Sequence, residues 1–255
     1  MENLINFNDN KFNNSENSKA KFSATSLKLI ALIAMTFDHV ATTFITNKVL
    51  YVVFRCIGKL TAPIFWFFIA QGFYKSRNIK KYFFRLLVFA IISHFPYMLL
   101  SYNNIIPFKH SVLNQTSVLW GLLCGLVLLW IWNNKTLINF KFIKITLCLF
   151  CCVAAFWADW GMLSPIVIWI FGTNNHKKYT HIYLFIFVIT LHCIFYIFLF
   201  DLGYILHFAT LFVLPLILQY SGLKSNSQKF NLKWLFYLYY PLHLYLLYFI
   251  KWLIP

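Results

Sequence analysis

Hydrophobic residues fill long continuous runs along this chain, and short polar stretches separate the runs. A helix needs roughly 20 apolar residues to cross the hydrocarbon core of a bilayer, so runs of this kind are typical of transmembrane helices. They predict helices at residues 27–46, 49–74, 82–101, 117–133, 142–157, 161–173, 180–200, 203–220 and 234–254. The predicted fold class is therefore all-α, a polytopic transmembrane helix bundle of about nine spans.

The stretch from residue 142 to 172 allows two interpretations: one long tilted helix, or two short helices broken at Ala158 to Gly161. Basic residues of membrane proteins gather in cytoplasmic loops, and this rule decides between the one-helix and the two-helix interpretation. With two short helices and a cytoplasmic N-terminus, seventeen of the 22 basic residues fall on the inner side: Lys11, Lys19, Lys21, Lys28, Lys75, Arg77, Lys80, Lys81, Arg85, Lys135, Lys141, Lys144, Lys177, Lys178, Lys224, Lys229 and Lys233. A single helix would place the last two basic loops outside. We therefore predict nine spans with the N-terminus in the cytoplasm.

Composition supports a membrane protein. Hydrophobic residues make up 61% of the chain and aromatic residues 21%, and the mean hydropathy of +0.69 leaves too little polar surface for a soluble globule. The formal net charge of +16 is explained by the basic inner loops and by attraction to anionic lipid. We therefore predict membrane lipid, and no nucleic acid, as a partner.

The chain divides into a polar tail and one membrane domain. Residues 1–24 are rich in Asn, Ser and Lys and lack the apolar core of a signal peptide, so they predict a disordered cytoplasmic tail. Residues 25–255 form the predicted transmembrane domain. The six cysteines all lie in apolar runs without metal-binding spacing, so they are read as small buried side chains and no metal is expected.

Asp38 and His39 lie in the middle of the first apolar run, where an ionisable side chain costs several kcal/mol unless it has a partner or a function. At about 1.5 Å per residue, Asp38 lies at a depth between Arg55 and Lys59 on the next helix. Those two cations are four residues apart and share one face of that helix. The sequence therefore predicts an ion pair of Asp38 with Lys59 or Arg55.

His39 points about 100° away from Asp38 around the helix, so it needs a partner from another helix. Histidines predicted at a similar depth are His243, His94 and His192. Three more ionisable residues are predicted nearer the outer surface: Asp159, Asp201 and His207. For His192 and His207 a packing role is the better interpretation, because a single intramembrane histidine often serves helix packing.

The motifs of soluble enzymes, namely GxGxxG, the Walker loop, GxSxG and HExxH, do not occur in this chain. The residues alone therefore predict a polytopic protein with a polar site open toward the outer side. Such a site suits proton-transfer chemistry or transport, and the residues do not identify a substrate.

Eight blocks of sequence follow one another along the chain: Leu27–Val40, Phe54–Phe65, Ile69–Phe73, Ser76–Tyr82, Arg85–Pro96, Ala158–Gly161, Tyr220–Lys224 and Phe236–His243. In this order they resemble the TraX family, the F-pilin acetylases. The resemblance implies an integral membrane acetyltransferase of the bacterial plasma membrane. Its donor would be acetyl-CoA, and its acceptor would be the N-terminal amine of pilin or a peptide, as in conjugation, or a surface glycan.

The resemblance also implies roles for particular residues. His39, Asp38 and His243 are the expected catalytic residues, with His39 as the base and His243 as a second candidate base. Substrate or donor binding is expected at Arg55, Asp159 and Tyr240, which match the family pattern, and also at Lys59 and His94, where this chain departs from that pattern. The phosphates of CoA could contact a basic loop made of Arg77, Lys80 and Lys81.

Two functions of other classes remain as alternatives. In an ion- or proton-coupled transporter, Asp38, His39 and His243 would form a proton relay. The chain has no internal repeat and no matched pair of broken helices, which argues against that function. In a non-catalytic membrane assembly or immunity factor, Asp38 and His39 could be replaced without loss of function.

Overall fold

A computed structural model describes residues 22–106, 115–137, 139–173, 179–221 and 232–254. The α-helices are α1 (Ala24–Phe44), α2 (Lys48–Gly58), α3 (Thr61–Lys75), α4 (Ile79–Tyr102), α5 (Val118–Trp132), α6 (Lys141–Ala154), α7 (Leu163–Thr173), α8 (Thr180–Leu199), α9 (Leu214–Leu218) and α10 (Leu232–Leu253). A 3-10 helix, Leu202–Val213, precedes α9. In the parts of the chain so described there is no β-strand, so the predicted all-α fold is confirmed.

Four helical stretches of these residues are long and apolar enough to cross a membrane. They are α1, the 28 residues of α2 and α3 taken together, α4 and α8. Shorter apolar stretches are α5, α7 and the 3-10 helix with α9. These lengths agree with a membrane-embedded bundle. The orientation with a cytoplasmic N-terminus stays a prediction.

Short polar side chains begin the long helices. The Ser23 hydroxyl accepts a hydrogen bond from the Ser26 amide at the start of α1. Asn47 and Asn78 cap α2 and α4 through their side-chain oxygens. Such caps satisfy amide groups that have no partner inside the helix. The predicted tail covers residues 1–24, of which residues 1–21 lie outside the described residues. Helix α1 begins at Ala24, the last residue of the predicted tail.

The predicted helix at residues 49–74 is interrupted at Lys59 and Leu60, between α2 and α3. Pro63 explains the break, because a proline has no amide hydrogen and its ring collides with the carbonyl four residues earlier, here that of Lys59. The hydroxyl of Thr61 donates to the Ala31 carbonyl and ties the break to α1. The interruption therefore lies within the bundle.

The predicted helix at residues 203–220 also differs from the structure, since most of it is a 3-10 helix. Thr210 donates its hydroxyl hydrogen to the carbonyl of His207, which competes with regular α-helical bonding. Pro215, near the start of α9, cannot donate to the preceding turn. Both residues lie in the part of the chain that departs from regular α-helical bonding.

The predicted division of residues 142–173 into two helices is confirmed, since α6 and α7 are separate. The turn between them pairs with the residues before α5: the Asp159 amide donates to the Thr116 carbonyl at 2.9 Å. Trp160 and Gly161 both have positive φ, 69° and 49°, which lets the chain reverse over two residues. This pairing fixes the position of Asp159.

The core forms where α5 meets α7 and where both meet α3. Gly125 of α5 lies so close to Ile168 of α7 that an added Cβ would overlap its side chain. Trp66 of α3 and Phe185 of α8 are fully buried in the same core. Close packing at small residues is typical of membrane helices.

Candidate functional site

Asp38 of α1 and Arg55 of α2 form an ion pair with 2.8 Å between Oδ1 and Nη1. The side chains are 23% and 20% exposed, respectively. The Oδ1 atom is buried and makes no well-formed hydrogen bond within the described part of the chain. Of the two predicted partners of Asp38, the structure brings Arg55 into contact. Each charge is thereby compensated by the other.

Gly58 makes room for this ion pair. A Cβ added at Gly58 would overlap the Asp38 side chain. Any residue larger than glycine would therefore force Asp38 to move. The sequence prediction did not single out Gly58, although it lies between the two cations Arg55 and Lys59.

Lys59 is only 5% exposed and lies at the break between α2 and α3. Its Nζ atom is 4.7 Å from the centre of the Trp160 ring, a cation–π contact. Lys59 also interacts electrostatically with Asp38, Asp159 and Arg55. Two cations and two carboxylates therefore balance one another, which lowers the cost of burying them.

His39 of α1 faces His243 of α10, and their ring centres are 5.1 Å apart with a tilt of 50°. The Nδ1 atom of His243 is 2.9 Å from the Tyr239 carbonyl. A carbonyl only accepts, so Nδ1 carries the hydrogen of this bond. The Nε2 atom of His243 is buried and has no hydrogen-bond partner among the residues that the structure describes. A partner for His39 was expected from another helix, and His243 occupies that place.

A cavity of about 30 Å³ lies between these elements, large enough for about one water molecule. Asp38, His39, Gly58, Asp159 and Tyr240 are among the residues that line it. Asp159, which was predicted nearer the outer surface, lines the same cavity as Asp38. Helices α6 and α7 have only 14 and 11 residues, and the turn between them carries Asp159 to this cavity.

Unsatisfied polar atoms gather around this cavity. Asp38 Oδ1 and the buried Tyr240 hydroxyl belong to lining residues and make no well-formed hydrogen bond in the described ranges, and His243 Nε2, behind His39, has none either. Buried polar atoms are normally paired, so a group of unpaired ones is typical of a place where a substrate binds or reacts. The arrangement can accept a proton at an imidazole and can stabilise a negative oxygen with Lys59 or Arg55.

His94 lies one contact away from this cavity. Its Nδ1 atom is 3.2 Å from the Thr116 hydroxyl, and the Thr116 carbonyl accepts the Asp159 amide. His94 therefore supports the turn that carries Asp159. Within the described ranges, no three His, Cys, Asp or Glu side chains converge as metal ligands would.

The predicted phosphate contacts lie elsewhere. Arg77, Lys80 and Lys81 are exposed at the connection from α3 to α4. Helix α3 has 15 residues and separates them from Lys59, which at 1.5 Å per residue amounts to about 22 Å. The structure does not bring these three cations together with the histidines.

Sequence reasoning missed three side chains that contact the site: Trp160, Tyr239 and Thr36. Trp160 covers Lys59, Tyr239 stacks on His243, and Thr36 bonds to Tyr239. Two signals could have found them. Trp160 follows Asp159 directly, and Tyr239 is four residues before His243, which places both on one helix face.

Comparison with known proteins agrees with this architecture. The family described as TraX protein matches residues 23–251. A relative from Dichelobacter nodosus, "Probable fimbrial assembly protein FimC, serogroup H1", is 32% identical over 235 residues, which cover 89% of this chain and 94% of the relative. No solved structure matches. The matched residues include every element that lines the cavity, and the chain belongs to the TraX family.

Proposed function

We propose that this protein is an acetyltransferase of the bacterial plasma membrane that transfers acetyl from acetyl-CoA to an amine or hydroxyl acceptor. The observation that carries the proposal is the His39–His243 pair, 5.1 Å between ring centres, beside the Asp38–Arg55 ion pair. Buried charges of both signs next to two imidazoles are expensive to keep for packing alone. Membership of the TraX family agrees with this activity.

The residues divide the chemistry among them. One of the two imidazoles takes a proton from the acceptor as the acceptor attacks the thioester carbonyl. Lys59, and Arg55 once it is released from part of its contact with Asp38, stabilise the negative oxygen that develops. Burial strengthens this stabilisation, since less water screens the charges. Expulsion of the CoA thiolate then ends the transfer, and the thiolate takes up the proton.

The donor and the acceptor would approach from different sides. Arg77, Lys80 and Lys81 are exposed cations on the predicted cytoplasmic side, suited to the phosphates of CoA. The thioester would then reach the cavity along the length of α3. The acceptor, a pilin or peptide N-terminal amine or a surface glycan, would enter from the outer half of the membrane.

A non-catalytic role in fimbrial assembly is the second candidate function. It is favoured by the name of the relative from Dichelobacter nodosus, which describes an assembly protein. In that case the histidine pair would serve only to hold α1 against α10. The two functions differ in whether acetyl-CoA is consumed.

The test is transfer of radiolabelled acetyl from acetyl-CoA by the purified protein in lipid nanodiscs. One acceptor is a peptide with a free N-terminal amine, and the matched control is the same peptide with a blocked amine. We expect label on the free peptide, and a loss of about 100-fold or more in the His39→Ala variant. Absence of any transfer or hydrolysis by the folded protein would favour the assembly role.

A further inference from the structure

Tyr239 makes two contacts with His243 and a third with α1. The two rings are nearly parallel, 13° apart with centres at 5.2 Å. The Tyr239 carbonyl accepts the Nδ1–H of His243 at 2.9 Å. The Tyr239 hydroxyl lies 2.6 Å from the Thr36 hydroxyl oxygen of α1. Tyr239 is therefore fixed on α1, which is also the helix that carries His39.

The direction of the Thr36–Tyr239 hydrogen bond follows from the second bond of Thr36. The Thr36 hydroxyl donates to the Leu32 carbonyl at 3.0 Å, which uses its single hydrogen. Tyr239 must therefore be the donor and Thr36 the acceptor. A chain of hydrogen bonds runs from the Tyr239 hydroxyl through Thr36 to the backbone of α1, and it fixes the Tyr239 ring against His243.

We propose that Nε2 of His243 is the catalytic base, that the Tyr239 carbonyl holds His243 in its Nδ1–H tautomer, and that Thr36 and Tyr239 are positioning residues whose hydroxyls fix the ring stacked on His243. This inference rests on the proposed acetyl transfer and decides between its two candidate bases. A bond to the Tyr239 carbonyl requires hydrogen on Nδ1, so neutral His243 has its lone pair at Nε2. That atom is buried and has no other hydrogen-bond partner in the described part of the chain.

During acetyl transfer the proton moves from the acceptor to His243 and then to the leaving sulfur. The acceptor nitrogen or oxygen forms a bond to the acetyl carbon while its proton moves to Nε2 of His243. The carbon–sulfur bond then breaks, the sulfur leaves with the bonding pair, and the proton passes from Nε2 to the thiolate. His243 is neutral again, and His39, which lines the cavity, contacts the acetyl donor.

The surroundings of the Thr36 and Tyr239 hydroxyls permit conservative substitutions. Thr36 and Tyr239 border an apolar crevice of about 280 Å³ with Ile33, Phe37 and Phe54. In Tyr239→Phe the stacked ring and the backbone acceptor remain, and Thr36 keeps its bond to Leu32. The fold should therefore survive while the ring of residue 239 gains freedom. Thr36→Val removes the acceptor with little change in volume, and Thr36→Ser restores it.

The first measurement is the kinetics of acetyl transfer by full-length variants in nanodiscs. Tyr239→Phe and Thr36→Val should lower kcat by about tenfold with little change in KM for acetyl-CoA, because the base is misplaced while donor binding is kept. Thr36→Ser should regain most of the loss. Tyr245→Phe is the control, since Tyr245 is 43% exposed on the same helix. Unchanged kcat in both Tyr239→Phe and Thr36→Val would overturn the positioning role.

The base itself is tested by His243→Asn. The asparagine amide can still donate to the Tyr239 carbonyl but supplies nothing in place of Nε2, so we expect folded protein whose transfer falls about 100-fold or more. Activity within about threefold of wild type would overturn the assignment.

The tautomer gives a readout that does not need activity. In protein with 15N-labelled histidine, the His243 signals are identified by their loss in His243→Asn. We expect the pattern of hydrogen on Nδ1 alone in the wild type and also in Tyr239→Phe, which keeps the backbone carbonyl, while the His243 signals of Tyr239→Phe shift or broaden because the ring is held less firmly. If wild type transfers no acetyl, the proposed function and the base assignment fail together. Hydrogen on Nε2 in the wild type would overturn the base assignment without any measurement of activity, and His243 signals that do not change in Tyr239→Phe would overturn the positioning role.

Discussion

Two pairs of histidines lie at nearly the same spacing in the described part of the bundle, and their surroundings differ in charge. The rings of His39 and His243 are 5.1 Å apart, and those of His192 and His207 are 5.4 Å apart. The first pair lies beside the Asp38–Arg55 ion pair. The second lies among aromatic rings: Tyr196, Tyr204 and Trp160.

This difference shows that paired imidazoles alone do not identify a reaction site in a membrane bundle. An imidazole in its neutral form stacks on aromatic rings at little cost, so the His192–His207 pair is explained by packing. Burying a charged side chain is costly by comparison, because an unpaired charge would cost several kcal/mol in the apolar interior. It is the buried charges beside His39 that require a functional explanation.

The largest expected effect comes from exchanging one histidine of each pair for phenylalanine, which keeps a ring of similar size. His39→Phe should lower acetyl transfer by about 100-fold or more, because the cavity loses the imidazole that contacts the acetyl donor. His192→Phe should change transfer by no more than about threefold. Both are measured with labelled acetyl-CoA in nanodiscs. Equal losses in the two variants would contradict the distinction between the pairs.

Removing one charge of the first region should have the next largest effect. Asp38→Asn leaves Arg55 without its counter-charge, and we expect the free energy of unfolding to fall by about 3 kcal/mol. Asp201→Asn is the control in the second region, since Asp201 is exposed. It should change stability by no more than about 0.5 kcal/mol. Denaturant titration in mild detergent measures both, and similar values for the two variants would contradict a structural role for the ion pair.

Glycine substitutions test how closely each region is packed. In Gly58→Ala the new Cβ would overlap Asp38 and displace it, at an expected net cost of about 1 to 2 kcal/mol. Gly203→Ala is the counterpart near the second pair. Its Cβ would meet an oxygen of Asp201 at 3.1 Å, and this exposed side chain can move, so little change is expected. Comparable unfolding midpoints for wild type and Gly58→Ala would show that Asp38 has room to move.

The fold was largely predictable because membrane helices are visible in the sequence as long apolar runs. The distribution of basic residues among the loops indicated that residues 142–172 form two helices rather than one. Local chemistry produced the two differences. Pro63 breaks the second predicted helix, and the Thr210 side chain competes with α-helical bonding in the eighth. Neither effect can be predicted from the length or periodicity of an apolar run, because each depends on a single residue.

The site was predictable only in part. The cost of burying charge identified Asp38, Arg55 and Lys59 from the sequence, and helix geometry indicated that His39 needs a partner from another helix. Helix order alone did not decide which histidine that partner would be. Nor could counting along the chain place Asp159, since its depth depends on how short α6 and α7 are.

The smallest expected effect concerns Trp160, which contacts both regions. Its ring lies 4.7 Å from Lys59 Nζ and 4.8 Å from the ring centre of His207. Phenylalanine keeps an aromatic face but binds a cation less strongly than tryptophan does, so Trp160→Phe should cost about 0.5 to 1 kcal/mol through Lys59. A double-mutant cycle with Lys59→Met measures this coupling, and Trp130→Phe, at a half-exposed tryptophan, is the control. A coupling near zero would mean that the carboxylates alone hold Lys59, and Trp160 would then belong with the aromatic packing around His207 rather than with the charges beside His39.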